Sequence, residues 1–116
     1  MSDITKMVTE MQVQLRTHQV ELQKTLSAID SVSRNNTVIE NSMQDIKKGG
    51  QDYVWEAVGR SFVKTGIPEY ESQMKNQIRD NIDMMNSLNK KKHYLETSIK
   101  NTIDSLKKVV VNNQST

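Results

Sequence analysis

Side chains able to do covalent or acid–base chemistry are few and scattered in this sequence. It holds two His and no Cys among 116 residues. Without Cys there is no thiol catalysis, no disulfide scaffold and no Cys-based zinc site. No Ser–His–Asp set, carboxylate pair, glycine-rich phosphate loop or metal-ligating cluster can be assembled from the spacing. The chain is therefore expected to be no enzyme and to need no cofactor or metal. Its chemistry-bearing residues are apolar ones in unusual places. Residues 53–65 read YVWEAVGRSFVKT, dense in aromatic and β-branched types. Near the two chain ends, Ile4, Met7, Val8 and Met11 face a second group, Leu106, Val109, Val110 and Val111. The chemistry these imply is burial of apolar surface against another polypeptide, with Met able to adapt to varied partners.

The elements that position these groups are marked by the distribution of helix breakers. All four Gly (Gly49, Gly50, Gly59, Gly66) and the single Pro (Pro68) fall between residues 49 and 68. Two long uninterrupted flanks thus surround one short insert. No apolar run approaches the ~18 residues of a membrane span, and the start of the chain has no basic and apolar signal-peptide pattern. A cytoplasmic protein with no membrane partner is expected. The net charge of +2 is too small to argue for nucleic acid. Lys90–Lys92, the one basic run, reads as a solvated helix face.

The flanks carry heptad spacing. Ile4, Val8, Met11, Leu15, His18, Leu22, Thr25, Ile29, Val32, Asn36, Ile39, Met43 and Ile46 follow at alternating steps of four and three, and ten of the thirteen are apolar. Met74, Ile78, Asn81, Met85, Leu88, Lys92, Leu95, Ile99, Thr102, Leu106 and Val109 do the same on the second flank. An ordinary amphipathic helix of period 3.6 would drift off this register, so coiled coil is expected. Ser2 and Asp3 can cap the first helix, Gly49–Gly50 can end it, and Pro68 suits the first turn of the second. Lys107 and Lys108 are expected near the second helix's end. Each helix would span about 60 Å at ~1.5 Å per residue.

A short insert between helices of similar length implies an antiparallel pair. Joining residue i with residue 117 minus i sets a positions against d in every layer: Val8 meets Val109, Leu22 meets Leu95, Ile39 meets Ile78 and Met43 meets Met74. The polar exceptions coincide, Asn36 with Asn81 and Thr25 with Lys92. Buried polar groups want polar partners, so this alignment is preferred to one slipped by a heptad. The pair Asn36 and Asn81 is expected to fix the register. His18, opposite Ile99, reads as a tolerated seam residue and not a metal ligand.

In the insert, Gly59–Arg60 fits a two-residue type II′ turn. Val58 then pairs with Ser61, Ala57 with Phe62, Glu56 with Val63, Trp55 with Lys64 and Val54 with Thr65. One face carries Tyr53, Trp55, Ala57 and Phe62, and the other Val54, Val58 and Val63, so both are expected to be largely apolar. A lone hairpin is marginal in water and its edges are bare. Hairpins from several chains joining into a sheet or barrel is the preferred reading; folding back on the hairpin's own helix ends is the other. For the apolar chain ends two readings stand equally: they close or fray the helix pair, or they form an adaptable surface for other polypeptides.

YVWEAVGRSFV at 53–63 and KKKHYLETSI at 90–99, within this helix–hairpin–helix layout, resemble the β class of the prefoldin family. The resemblance implies an ATP-independent cytosolic co-chaperone. In it, α-class and β-class subunits form a hetero-hexamer with a β-barrel body and coiled-coil tentacles. The tentacle tips hold unfolded polypeptides, notably actin and tubulin, and pass them to the cytosolic group II chaperonin. Carried onto this sequence, Val54, Trp55, Val58, Gly59, Arg60, Phe62 and Val63 would build the barrel. Ile4, Met7, Val8, Met11, Leu106 and Val109 to Val111 would hold clients, an assignment that follows topology and no motif. One stretch departs from the family pattern: Lys64–Pro68 replaces a more polar, Gln-containing segment, which leaves the end of the second strand and the start of the second helix open.

The expectation is thus a mainly α chain, a single domain over residues 1–116. A long antiparallel two-helix coiled coil (2–48 and 68–111) is joined by a small β-hairpin (53–65) that assembles with partner chains into a β-barrel. A structural coiled-coil adaptor or tether, with the hairpin as docking element, is the competing reading.

Overall fold

A computed structural model describes residues 2–115, with side chains for 3–112. It contains helix α1 (Ser2–Lys48), strands β1 (Tyr53–Val58) and β2 (Ser61–Gly66), and helix α2 (Ile67–Ser115). Two long helices joined by a two-stranded antiparallel hairpin are the fold expected from the spacing of apolar residues and breakers. Two compact units divide the chain. One comprises α1 through Ile29 with α2 from Ser87 onward, and the other runs Asp30–Asn86.

In the first unit every seam residue from Val8 to Ile29 and from Leu88 to Val109 is at least half-buried. Leu95 and Thr25 are the most enclosed, at 4% and 3% exposure. Thr25 satisfies its hydroxyl locally, donating to the Glu21 carbonyl at 2.8 Å; Thr102 does the same to Ser98 at 2.8 Å. Such i−4 bonds let a polar residue sit in an apolar seam without an unmet donor. Glu21 also meets Lys91 at 3.5 Å and Lys24 at 3.7 Å, exposed pairs that add little stability. Ile4 continues the seam spacing but is 40% exposed.

In the second unit the seam runs from Val32 to Ile46 and from Met74 to Met85, again at least half-buried throughout, with Ile39 most enclosed. It extends past the expected start of the second flank, because Ile67, Tyr70 and Glu71 are half-buried too. Gly49 ends α1 with bonds from its N–H to the carbonyls of Asp45 (3.1 Å) and Ile46 (3.3 Å). Gly50 then turns the chain away at φ 65, a left-handed conformation where a side chain would be strained.

The hairpin pairs Val58 with Ser61, Ala57 with Phe62, Glu56 with Val63, Trp55 with Lys64, Val54 with Thr65 and Tyr53 with Gly66. Gly59 has φ 61, and among the described residues no non-glycine has positive φ. The turn is therefore of type II′, with Gly in its first central position.

Three boundaries differ from the sequence reading. The second strand reaches Gly66 and α2 begins at Ile67, with no linker between them. The reason is that the ladder runs on: the Ile67 N–H donates to the Asp52 carbonyl at 3.1 Å. Pro68 thus stands second in α2, where a missing N–H leaves no helical bond unmade. At the other end α2 continues to Ser115, so Lys107 and Lys108 lie inside it and not in its last turn. Asp3 sits in the first turn of α1, while the Ser2 side chain lies outside the described residues.

Candidate functional site

Hairpin residues from positions 53 to 66 present two unequal faces. Direct cross-strand partners share a face, so Tyr53, Trp55, Ala57, Phe62 and Lys64 lie together. All five are exposed, Trp55 at 61% and Phe62 at 70%. The Tyr53 and Trp55 rings meet edge to face with centroids 6.0 Å apart. The Lys64 ammonium sits 4.0 Å from the Tyr53 ring centre, a cation–π contact. These contacts order an aromatic face that the chain itself leaves uncovered.

The opposite face carries Val54, Glu56, Val58, Ser61, Val63 and Thr65. Here the expectation of two open apolar faces is corrected. Thr65 is 5% exposed, and Val54 and Glu56 are half-buried, while Val58 and Val63 near the turn remain exposed. Tertiary structure covers half of this face, which spacing alone could not show. Glu56 leaves its Oε1 atom buried with no hydrogen-bond partner.

The backbone edges follow from the turn. In a two-residue hairpin the residues flanking the turn exchange hydrogen bonds, and every second pair then does so. Val58, Glu56, Val54 and Asp52 therefore bond across the hairpin, as the Ile67–Asp52 bond shows directly. Tyr53, Trp55 and Ala57 on one edge, and Phe62, Lys64 and Gly66 on the other, aim their N–H and C=O groups outward. A cavity of about 520 Å³ lies beside the first edge, lined by Gly50 to Trp55. Arg60 is exposed at the turn.

A second surface lies in the first unit, where the early part of α1 and the late part of α2 enclose an open groove of about 490 Å³. Val8, Gln12 and Leu15 line it from α1; Ile103, Leu106, Lys107, Val110 and Val111 line it from α2. Four of the residues singled out in the sequence, Val8, Leu106, Val110 and Val111, come together here. Ile4, Met7, Met11 and Val109 do not line it. Ile4 and Met7 are exposed, Val109 is half-buried, and Met11 borders a separate 160 Å³ recess with Thr102. Gln12, Leu15, Ile103 and Lys107 were missed. Only part of their signal was present: Gln12, Ile103 and Val110 all occupy the e position flanking the seam, but spacing does not say that this side stays open.

The polar layer is explicit. Asn81 Nδ2 donates to Asn36 Oδ1 at 2.7 Å and to Asn35 Oδ1 at 2.9 Å. Asn35 is a partner that the seam spacing did not reveal. His18 is half-buried in the seam with its Nδ1 lacking a hydrogen-bond partner. Among the described residues no group of three or more His, Asp or Glu could hold a metal ion. No described helix is long and apolar enough to cross a membrane.

Comparison with known proteins places this arrangement. A family model described as "Prefoldin subunit" matches residues 9–113. The chain is 27% identical over 109 residues to prefoldin subunit 1 of Saccharomyces cerevisiae, covering 94% of this chain and all of that protein. The crystal structure of the prefoldin beta subunit from Thermococcus strain KS-1 superposes with a TM-score of 0.78 at 22% identity. That match covers 88% of this chain and 90% of the other. The prefoldin resemblance read in the hairpin and second helix agrees with all three, its β class with the Thermococcus structure and its likeness to subunit 1 with the yeast protein. With nearly its whole length matched, this chain belongs to the prefoldin subunit family.

Proposed function

We propose that this chain is one subunit of an ATP-independent, hetero-oligomeric co-chaperone of the cytoplasm. The observation that carries the assembly half is the hairpin's aromatic face, with Trp55 and Phe62 exposed beside two edges of unpaired backbone groups. Exposed aromatic area of this kind, continuous with bare strand edges, calls for other chains. Val54, Trp55, Val58, Gly59, Arg60, Phe62 and Val63 join hairpins of α-class and β-class partners in a barrel. Gly59 supplies the positive φ of the turn, and the exposed ends of Val58 and Val63 extend the apolar contact toward it.

The groove lined by Val8, Leu106, Val110 and Val111, with exposed Ile4 and Met7 and with Met11 and Val109 in the adjoining seam, holds unfolded polypeptides. Family membership supports clients such as actin and tubulin and delivery to the cytosolic group II chaperonin. The chain contributes binding and no bond-making chemistry.

The test is suppression of aggregation. A denatured client is diluted with the complex purified through this chain, without ATP, and light scattering is followed. Suppression near stoichiometric amounts is expected. Full aggregation at that ratio, with the complex intact by native mass spectrometry, refutes the chaperone reading and favours an adaptor rod.

A further inference from the structure

We propose that the groove of the first unit selects unfolded segments in which acidic residues alternate with apolar ones. This rests on the client-holding reading above and adds the chemical class of client. The groove floor is apolar, formed by Val8, Leu15, Ile103 and Leu106. Its charged lining is of one sign: Lys107 contributes and no Asp or Glu does. Lys100 stands one heptad before Lys107, three residues from Ile103, so it shares that flank of α2. On α1, Arg16 follows the lining residue Gln12 by four positions and lines a separate recess with Val13 and Val20.

These cations are not spent internally. Asp104 is the one acid between residues 97 and 112, and its spacing reaches Lys100, Lys107 and Lys108. Yet among the described residues the ion pairs join Glu21 with Lys24 and Lys91, and Asp30 with Arg34. None engages Asp104, Arg16 or those three lysines. The same bias holds for the unit as a whole. It carries nine Lys and Arg against five Asp and Glu, a formal +4, while the hairpin-bearing unit carries seven against nine, a formal −2. An extended acidic–apolar segment can lay its apolar side chains on the floor and its carboxylates against Lys100 and Lys107. Burial would supply the affinity and the rim charges the choice and rate of encounter. A basic segment of equal apolarity would meet like charge at the same rim.

The probes are three unstructured peptides with identical Leu, Val and Phe positions, spaced by Glu and Asp, by Ser and Gln, or by Lys. A photo-crosslinking phenylalanine analogue replaces Gln12 in the full chain within its purified complex, so labelling reports this chain's groove. The acidic peptide should half-saturate at about three- to tenfold lower concentration than the neutral one, as expected for two exposed ion pairs. The basic peptide should label weakest. Near ~1 M salt, where the screening length is about 3 Å, the acidic advantage should fall below about twofold. The double variant Lys100→Glu, Lys107→Glu should reverse the order. Equal half-saturation of acidic and neutral peptides, or an order unchanged in that variant, overturns the inference. If the neutral peptide labels, and Val110→Asp at the exposed rim abolishes it while no acidic preference exists, the inference alone fails. No labelling by any of the three peptides overturns the client-holding reading with it.

Discussion

Replacing Asn81 tests the polar layer most sharply, because its two bonds are unequal in what they leave behind. Asn81→Leu removes both donations and strands Asn36 Oδ1, half-buried, without its 2.7 Å partner. A stranded buried acceptor costs about 1–3 kcal/mol, and leucine burial in the seam returns up to ~1.5 kcal/mol. The expected net loss is about 1 kcal/mol. Asn36→Leu should cost less, because Asn81 Nδ2 keeps its 2.9 Å bond to Asn35. The double variant has two leucines in contact and no stranded group, so it should be more stable than Asn81→Leu by about 2 kcal/mol. Urea unfolding of the complex at fixed concentration, read as a double-mutant cycle, should give a coupling of about 2–3 kcal/mol. A coupling below ~0.3 kcal/mol would show that the layer does no energetic work. Register can be read in the same variants. The chain has no Cys, so Leu22→Cys with Leu95→Cys gives one possible intrachain disulfide. It should form in all of them, the double variant included. A slip of one heptad would have to tear the ladder that runs through Ile67 into α2, and the Asn layer is only one of two restraints. Disulfides from position 22 to cysteines placed at 88 or 102 would refute that reasoning.

Phe62→Asp or Trp55→Asp puts a carboxylate in the middle of the exposed aromatic face; each should release the chain from its complex on a sizing column, and survival of the complex with both would remove the barrel assignment. Gly59→Val forces a β-branched residue into φ 61 and should destabilise the hairpin by at least about 1–2 kcal/mol, weakening assembly. Gly66→Ala, whose added Cβ would meet nothing within 4 Å, should leave assembly unchanged; equal effects of the two would show that turn geometry is not the cause. Trimming residues 1–11 and 106–116 should spare assembly while weakening client capture, and unchanged client affinity would displace holding from the groove.

What was legible in the sequence is what depends on period alone. A coiled-coil seam is a local, repeating pattern, so alternating steps of four and three located the buried positions of both helices, down to the polar Thr25 and Asn36. The turn was legible because Gly59 is a residue type suited to φ 61. The groove was not, since its shape depends on which side of the seam the helices leave open. Period fixes a and d, whereas Gln12, Ile103 and Lys107 lie beside them. The bond from Asn81 to Asn35 depends on a rotamer and has no sequence signature. The run of α2 past residue 111 to Ser115 went unseen because Asn112, Asn113 and Gln114 carry no apolar spacing to mark it.

The unequal hairpin faces bear on how assembly would proceed. A free two-stranded hairpin would lose much of its binding free energy to ordering. Here Thr65 is buried, Val54 and Glu56 are half-buried, and the ladder enters α2 without a linker through the Ile67–Asp52 bond. The strands are therefore held before any partner arrives, and the Tyr53–Trp55 and Lys64–Tyr53 contacts fix the aromatic face in advance. Pre-organisation of this kind lowers the entropic cost of association. The two faces thus divide the work: Val54, Glu56 and Thr65 on the covered side anchor the element, and Trp55 and Phe62 on the uncovered side remain exposed for burial by another chain.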